Sequence, residues 1–312
     1  MKTISISRQD CELMAPAVIA GMMRIQKMSD LQVRRLFDAA LEAGINYFDH
    51  ADIYGEALHG CEKRFGEALR LTPEERGQIL LQSKAGYVRN GPYFDFSYEH
   101  ITETVNGSLS SPGTDYLDFL LLHRPDALAQ PDEVARAFDD LATAGKVSAF
   151  GVSNHTPGQI ELLQRSVRQP LVINQVQLSI THAPMIAHAV AMNMQGEQQS
   201  ASRDLGLLDY CRLHGITVQA WSPFQAGFKS TSFLGSLDYP ELNALIDDLT
   251  KKYDVPPIAI ATAWITRHPA QMQVVIGTTN PERVSGAAQG ADVMLTRPEW
   301  YGLMRAAGYV VP

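Results

Sequence analysis

Eight short apolar runs recur along the chain with helical segments between them, and this alternation narrows the fold more than any other feature. The runs are Val18 to Ala20, Ile45 to Phe48, Ile79 to Gln82, Leu117 to Leu122, Ala149 to Val152, Leu171 to Val176, Ile216 to Ala220 and Gln273 to Ile276. Stretches such as Leu117 to Leu122 are almost continuously apolar, which suits a parallel strand covered on both faces better than a half-exposed antiparallel one. Between them apolar residues fall at helical spacing: Val33, Leu36, Phe37, Ala40 and Leu41, then Phe65, Ala68 and Leu69, then Ile160 and Leu163. Ser29, Pro131-Asp132 and Thr156-Pro157 read as helix starts, and Gly44 and Gly145 as helix ends.

Eight strands joined by helical crossovers predict an α/β fold, a closed (β/α)8 TIM barrel, with residues 1–312 forming one domain, since such barrels reach this length around a single core. A doubly wound sheet is the rival, and no G-x-G-x-x-G follows any of the strands to support it. The alternation from Thr3 to Ser7 predicts an N-terminal β-hairpin that plugs the barrel floor. Thr181 to Ser202 and Gln225 to Tyr239 are too long for simple connections. Both are expected over the barrel mouth, mobile until ligand binds, with roles in substrate range and cofactor release.

A formal net charge of −8 argues against nucleic acid or an anionic membrane as the main partner. The three cysteines, Cys11, Cys61 and Cys211, lie far apart with no CxxC spacing, so neither a disulfide framework nor a zinc site is favoured. The histidines His182 and His188, and His50 with Asp52, also lack metal-ligand spacing. The N-terminus has no apolar stretch of signal-peptide length and no run approaches a membrane span, so cytoplasmic residence is expected.

In a TIM barrel the chemistry gathers at the C-terminal ends of the strands. Here those ends read Asp49-His50-Ala51-Asp52-Ile53-Tyr54, Ser83-Lys84, His123-Arg124-Pro125, Ser153-Asn154, Asn174-Gln175 and Trp221-Ser222. Singly, each of these residues is as ordinary as any loop or packing residue. Together, Asp49, Tyr54, Lys84 and His123 come from three successive strand ends and converge on one mouth. The segments NYFDHADIYG, LLQSKAG, LDFLLLHRPD, GKVSAFGVSNHTPGQI and INQVQLS occur in this order between about Gly21 and Arg283. They resemble the aldo-keto reductase family and its bacterial oxidoreductases.

The resemblance implies a catalytic tetrad of Asp49, Tyr54, Lys84 and His123, reducing a small-molecule aldehyde or ketone with NADPH. Reduction of a carbonyl needs a proton as well as a hydride. Tyr54 is the expected donor, Lys84 is expected to lower its pKa, Asp49 to pair with Lys84, and His123 to orient the carbonyl. For the cofactor the resemblance implies Ser153, Asn154 and Gln175 on the carboxamide and Trp221 beneath the ring. It also implies Gly21, Met22, Ser222, Phe224, Gly277, Thr278, Thr279 and Arg283 along the rest of the nucleotide. Two departures stand out: many relatives carry Lys where Gly277 stands, and a Glu-Asn pair where Gly286-Ala287 stand. Met23, Tyr87, Phe94, Trp221 and Phe224 are the expected substrate walls. Two other functions fit the same fold. One is an NADPH-binding sensor or regulatory subunit, resembling potassium-channel β subunits, and the other is an aldolase or isomerase using Lys84 as a Schiff base.

Overall fold

The computed structural model describes residues 1–7, 11–194, 196–226 and 232–312. The chain opens with a hairpin of β1 (Thr3–Ser7) and β2 (Glu12–Pro16), then β3 (Val18–Gly21), α1 (Asp30–Glu42) and β4 (Tyr47–Asp49). Next come α2 (Gly60–Leu69), α3 (Pro73–Gly77), β5 (Leu80–Ala85) and a small hairpin of β6 (Tyr87–Val88) and β7 (Tyr93–Phe94). The middle of the chain supplies α4 (Tyr98–Ser110), β8 (Leu117–Leu122), α5 (Pro131–Thr143), β9 (Val147–Ser153), α6 (Pro157–Gln164) and β10 (Leu171–Gln177). Helices α7 (Pro184–Val190) and α8 (Leu207–Leu213) lead to β11 (Thr217–Trp221). The chain ends with α9 (Pro240–Tyr253), α10 (Pro257–Thr266), β12 (Gln273–Ile276), α11 (Pro281–Gly290) and α12 (Arg297–Ala306).

Strands β3, β4, β5, β8, β9, β10, β11 and β12 close into a parallel barrel, each of the eight grown from one of the apolar runs. Every residue of β8 is buried, as a strand covered on both faces requires. Its one charge, Asp118, points away from the barrel axis, accepting from Arg76 at 3.0 Å and from the Leu81 N–H at 2.9 Å. Capping fixes where the crossovers begin: Ser29, Thr156 and Thr296 each form a reciprocal capping box. Gly44 and Gly145 close α1 and α5, donating to Leu41 and Ala142 carbonyls.

The hairpin does plug the floor. Ile6 and Ala15 pack into a cluster inside the barrel with Ile19, Tyr47, Leu80, Phe119, Leu121 and Val275. Burial of each large side chain there contributes roughly 1.5–3 kcal/mol, and it leaves the floor shut, so only the opposite end is open to ligands.

Candidate active site

Strand side chains alternate in and out, so each inward position is followed two residues later by the next one up. On β4 the inward pair is Tyr47 then Asp49; on β5 it is Leu80, Gln82, then Lys84. The same climb on β11 runs from Gln219 to Trp221. The barrel interior therefore changes from apolar at the floor to amide in the middle and charged at the top.

The amides of this layer bond to one another in a chain. Gln273 donates to the Pro16 carbonyl at 2.7 Å, Gln219 to Gln273 at 3.0 Å, and Gln82 and Gln175 each to Gln219 at 3.0 Å. Gln82 and Gln175 also donate to Asp49 Oδ1, at 2.5 and 3.0 Å. Such a linked buried network holds its members in single rotamers. Asp49 is thus fixed from below before any charge meets it.

Lys84 Nζ donates to both Asp49 oxygens, at 2.6 and 2.8 Å, to the His50 carbonyl at 2.8 Å, and to Tyr54 Oη at 3.1 Å. Burial alone would lower the Lys84 pKa, but Asp49 and Tyr54 together outweigh it and hold the value above its ordinary level. Tyr54 differs from the expectation. Burial raises its pKa, Lys84 pulls the other way without winning, and the group stays a phenol. The Tyr54 and His123 rings meet edge to face with centroids 6.0 Å apart. Burial, then Lys84 and Arg124, push His123 far below the usual imidazole range, so the ring is neutral.

Asp49, Tyr54 and His123 open onto a cavity of about 980 Å³, near the top of the range of about 300–1,000 Å³ usual for ligand sites. Gly21, Ser153, Asn154, Gln175, Trp221, Ser222, Phe224, Gly277, Thr278, Thr279 and Arg283 line it as well. Asn154 donates to Ser153 Oγ at 2.8 Å and to the His123 carbonyl at 3.3 Å, and it accepts from Trp221 Nε1 at 3.0 Å. The residues assigned to the carboxamide therefore form one linked group, and Asn154 is largely engaged within it.

Met22 stands apart from the cavity lining. Its side chain is fully buried in the main core and its N–H donates to the Asp49 carbonyl at 2.9 Å, so it faces away from the cavity. Tyr87 and Phe94 also stand apart. Their rings meet edge to face across the β6–β7 hairpin, beside His123 but outside the cavity lining, whereas Met23, Trp221 and Phe224 do line it. The stretch from Thr181 to Ser202 is more ordered than its composition suggests. It contains α7 and a 3-10 turn at Gln198–Ser200, buries Ala183, Met185, Ile186 and Ala187, and none of its described residues lines the cavity. Within Gln225 to Tyr239, Gln225, Ser232 and Leu234 do line it, and 227–231 lie outside the described residues, as does 195 in the earlier stretch.

Sequence reasoning missed Arg24, Pro256, Pro257 and Ile258, and it left Arg124 without a role; all five line the cavity. Arg24 follows the end of β3, and its guanidinium donates to the Gly277 carbonyl. A Cβ on Gly277 would stand 2.5 Å from Arg24 Nη1. The glycine therefore makes room for a cation arriving from another strand. At Gly286 a Cβ would stand 2.9 Å from both Pro256 and Ile258, so α11 lies too close to these wall residues for a larger side chain. Among the described residues no group of three or more His, Cys, Asp or Glu is placed to hold a metal ion, and no helix is long and apolar enough to cross a membrane.

Comparison with known proteins agrees with this geometry. The model of the aldo/keto reductase family matches residues 17–303. Oxidoreductase YdhF of Escherichia coli is 34% identical, covering 94% of this chain and 94% of its own. A 6-dehydroglucose reductase of Agrobacterium fabrum is 33% identical over 93% of each chain. The crystal structure of a thermostable aldo-keto reductase, Tm1743, in complex with the inhibitor epalrestat, shares the fold. Its TM-score is 0.76 at 20% identity, covering 98% of this chain and 100% of that one.

Proposed function

Because the chain belongs to the aldo-keto reductase family and is an NAD(P)H-dependent oxidoreductase acting on small-molecule carbonyl compounds, we propose that it reduces an aldehyde or ketone with NADPH, using Tyr54 as the proton donor. The observation that carries this reading is the buried Lys84 ammonium, 2.6 Å from Asp49 and 3.1 Å from the Tyr54 hydroxyl, behind two side chains that line a cavity sized for a ligand.

The cofactor, when bound, supplies the hydride that reaches the carbonyl carbon. Tyr54, kept protonated by burial, gives its proton to the carbonyl oxygen as negative charge develops there. Lys84 stabilises the phenolate left behind, and because Asp49, itself fixed by two amides, already holds Lys84 in place, no reorganisation is needed at that moment. His123 is neutral and its buried Nδ1 has no partner among the described residues. With its single proton on Nε2 the ring, which lines the cavity, can donate to the carbonyl oxygen.

The lining residues fit a nicotinamide nucleotide. Both amide protons of Gln175 are engaged, which leaves its side-chain oxygen to accept from a carboxamide. The Trp221 ring stands on the wall, suited to stacking. At the far end α11 begins with Asn280 accepting from the Arg283 N–H at 3.1 Å, beside the hydroxyls of Thr278 and Thr279. That combination of helix start, hydroxyls and arginine suits a phosphate, and Arg24 and Arg283 favour the doubly charged 2′-phosphate of NADPH. Cytoplasmic residence belongs to the same reading, supported by the free state of Cys11, Cys61 and Cys211.

A panel of aldehydes and ketones offered with NADPH or NADH, followed by nucleotide absorbance, tests the reading. NADPH-dependent turnover of at least one carbonyl class is expected. Tight NADPH binding without turnover of any of them would favour the regulatory-subunit alternative instead.

A further inference from the structure

Three arginines line the cavity: Arg24, Arg124 and Arg283. Arg24 is bonded to the Gly277 carbonyl, and Arg283 is exposed at the start of α11, where a cofactor phosphate would lie. Arg124 differs from both. It is half-buried, its guanidinium lies 5.7 Å from the centre of the Trp221 ring, and among the described residues no carboxylate pairs with it and no hydrogen bond engages it. Among the described residues the one carboxylate in the cavity lining, Asp49, is already taken by Lys84.

A half-buried guanidinium that lines the cavity, with five donors and no acceptor among the described residues, is free to meet the oxygens of a ligand. Burial pulls the Arg124 pKa below its ordinary value, against the opposing pull of Tyr54 and Tyr87, consistent with a charge facing the reacting groups and lacking a counter-ion. Topology separates this arginine from the phosphate end. Arg124 follows β8 and Arg283 follows β12, and in the closed order β12-β3-β4-β5-β8 these strands are four steps apart, on opposite sides of an eight-strand ring. The side of the mouth occupied by Arg124 also holds His123 and Tyr54, the groups that would meet the carbonyl.

We infer that Arg124 is a specificity-determining residue that receives an anionic group of the substrate, so that the enzyme favours carbonyl compounds bearing a carboxylate over their neutral counterparts. The inference rests on the reductase reading above and deepens it. A carboxylate matches the planar fork of the guanidinium and forms two parallel charge-assisted hydrogen bonds. The aliphatic stem and the Trp221 ring flank that contact on one side.

The test uses the 2-, 3- and 4-formylbenzoates and their methyl esters, which keep the aldehyde and remove the charge. For the best-placed isomer the acid is expected to exceed the ester in kcat/KM by about tenfold or more, the size of effect a charge-assisted pair supports. Arg124→Met should erase that preference, reducing kcat/KM for the acid about tenfold further than for the ester. Arg124→Lys should retain part of it. Titration of benzoate and benzamide into the NADP⁺-loaded protein asks the same question without turnover, with tighter benzoate binding expected in the wild type alone. Equal losses for acid and ester in Arg124→Met, or equal binding of benzoate and benzamide to the wild type, would overturn the inference and leave the reductase reading intact. Absence of reduction for acids and esters alike, with a preference for benzoate retained, would overturn the reductase reading instead.

Discussion

The two ends of the cavity are built on different terms. At the catalytic end Asp49, Lys84, Gln82 and Gln175 are almost wholly buried, stand on strands, and bond to one another. At the phosphate end Thr279 and Arg283 are exposed, on a loop and the first turn of a helix, and among the described residues neither side chain makes a hydrogen bond, only the Arg283 N–H donating to the Asn280 side chain. The difference follows from what each end must do. Stabilising a charge as it forms requires groups already in place in a water-poor setting, whereas holding a charged nucleotide needs only complementary donors near solvent. The catalytic end should therefore be intolerant of substitution, and the phosphate end able to reach one result by more than one route. Arg24 filling the space over Gly277 is such a route.

Four outcomes would break or sharpen this contrast. The largest is expected for Lys84→Met, which removes the cation that stabilises the phenolate and strands Asp49 in the interior. Carbonyl reduction should fall by about a thousandfold or more, and stability by about 3 kcal/mol, as for a buried pair deprived of one partner. Single-turnover rates and urea unfolding measure the two separately. A variant that unfolds like wild type would mean the amides alone suffice for Asp49.

Asp52 lies just behind this end, buried, with one oxygen accepting from the Ile53 N–H and the other without a partner among the described residues. Burial first, then Glu62, push its pKa up from 3.8 to about 7. Below about pH 4 the carboxyl is neutral in both folded and unfolded chains. As pH rises to 7 the unfolded chain loses this proton first, so stability drains away across that window. Asp52→Asn should remove the drain, gaining at most about 4 kcal/mol above pH 7 relative to wild type. The gain should vanish near pH 4. Thermal melts between pH 4 and 8 show whether it does.

A smaller effect is expected at the other end. Arg283→Ala should weaken NADPH about tenfold while leaving NADH nearly unchanged, a loss appropriate to one exposed charge-assisted contact. Fluorescence titration of both nucleotides measures it, and equal weakening of the two would remove Arg283 as a reader of the 2′-phosphate. The smallest effect concerns the two long connections. NADPH should slow amide exchange at residues 232–239, near the lining positions Ser232 and Leu234, and leave residues 183–190 unaffected. Protection of the second group would restore it to the mouth.

All eight barrel strands were legible because parallel strands covered on both faces cannot hide their apolar runs, and the convergence of Asp49, Tyr54, Lys84 and His123 was legible because strand ends fix where they must lie. Three features were not. Met22 sits one residue beyond a lining glycine, and sequence alone does not show that its N–H is taken by Asp49 and its side chain by the core. The stretch from Thr181 to Ser202 reads as loose in Ala, Met and Gln, yet it is pinned by contacts made far away in sequence. Tyr309 accepts from the Ala183 N–H at 2.7 Å, and Gln199 bridges Ala187 and Val310. The nearness of Lys84 predicts a lowered pKa for Tyr54, and the weight of burial against that charge shows only in the folded packing around the ring.

The central claim is that Tyr54 delivers the proton while the rest of the cavity binds the nucleotide without it. Tyr54→Phe removes one oxygen, keeps the ring against His123, and leaves Lys84 bonded to Asp49. Parallel measurement of carbonyl reduction at saturating NADPH and of NADPH affinity by fluorescence quenching tests the claim most directly. The account predicts a loss of about a hundredfold to ten-thousandfold in kcat, with the dissociation constant for NADPH within about twofold of wild type. A variant that still reduces carbonyls at the wild-type rate would contradict it.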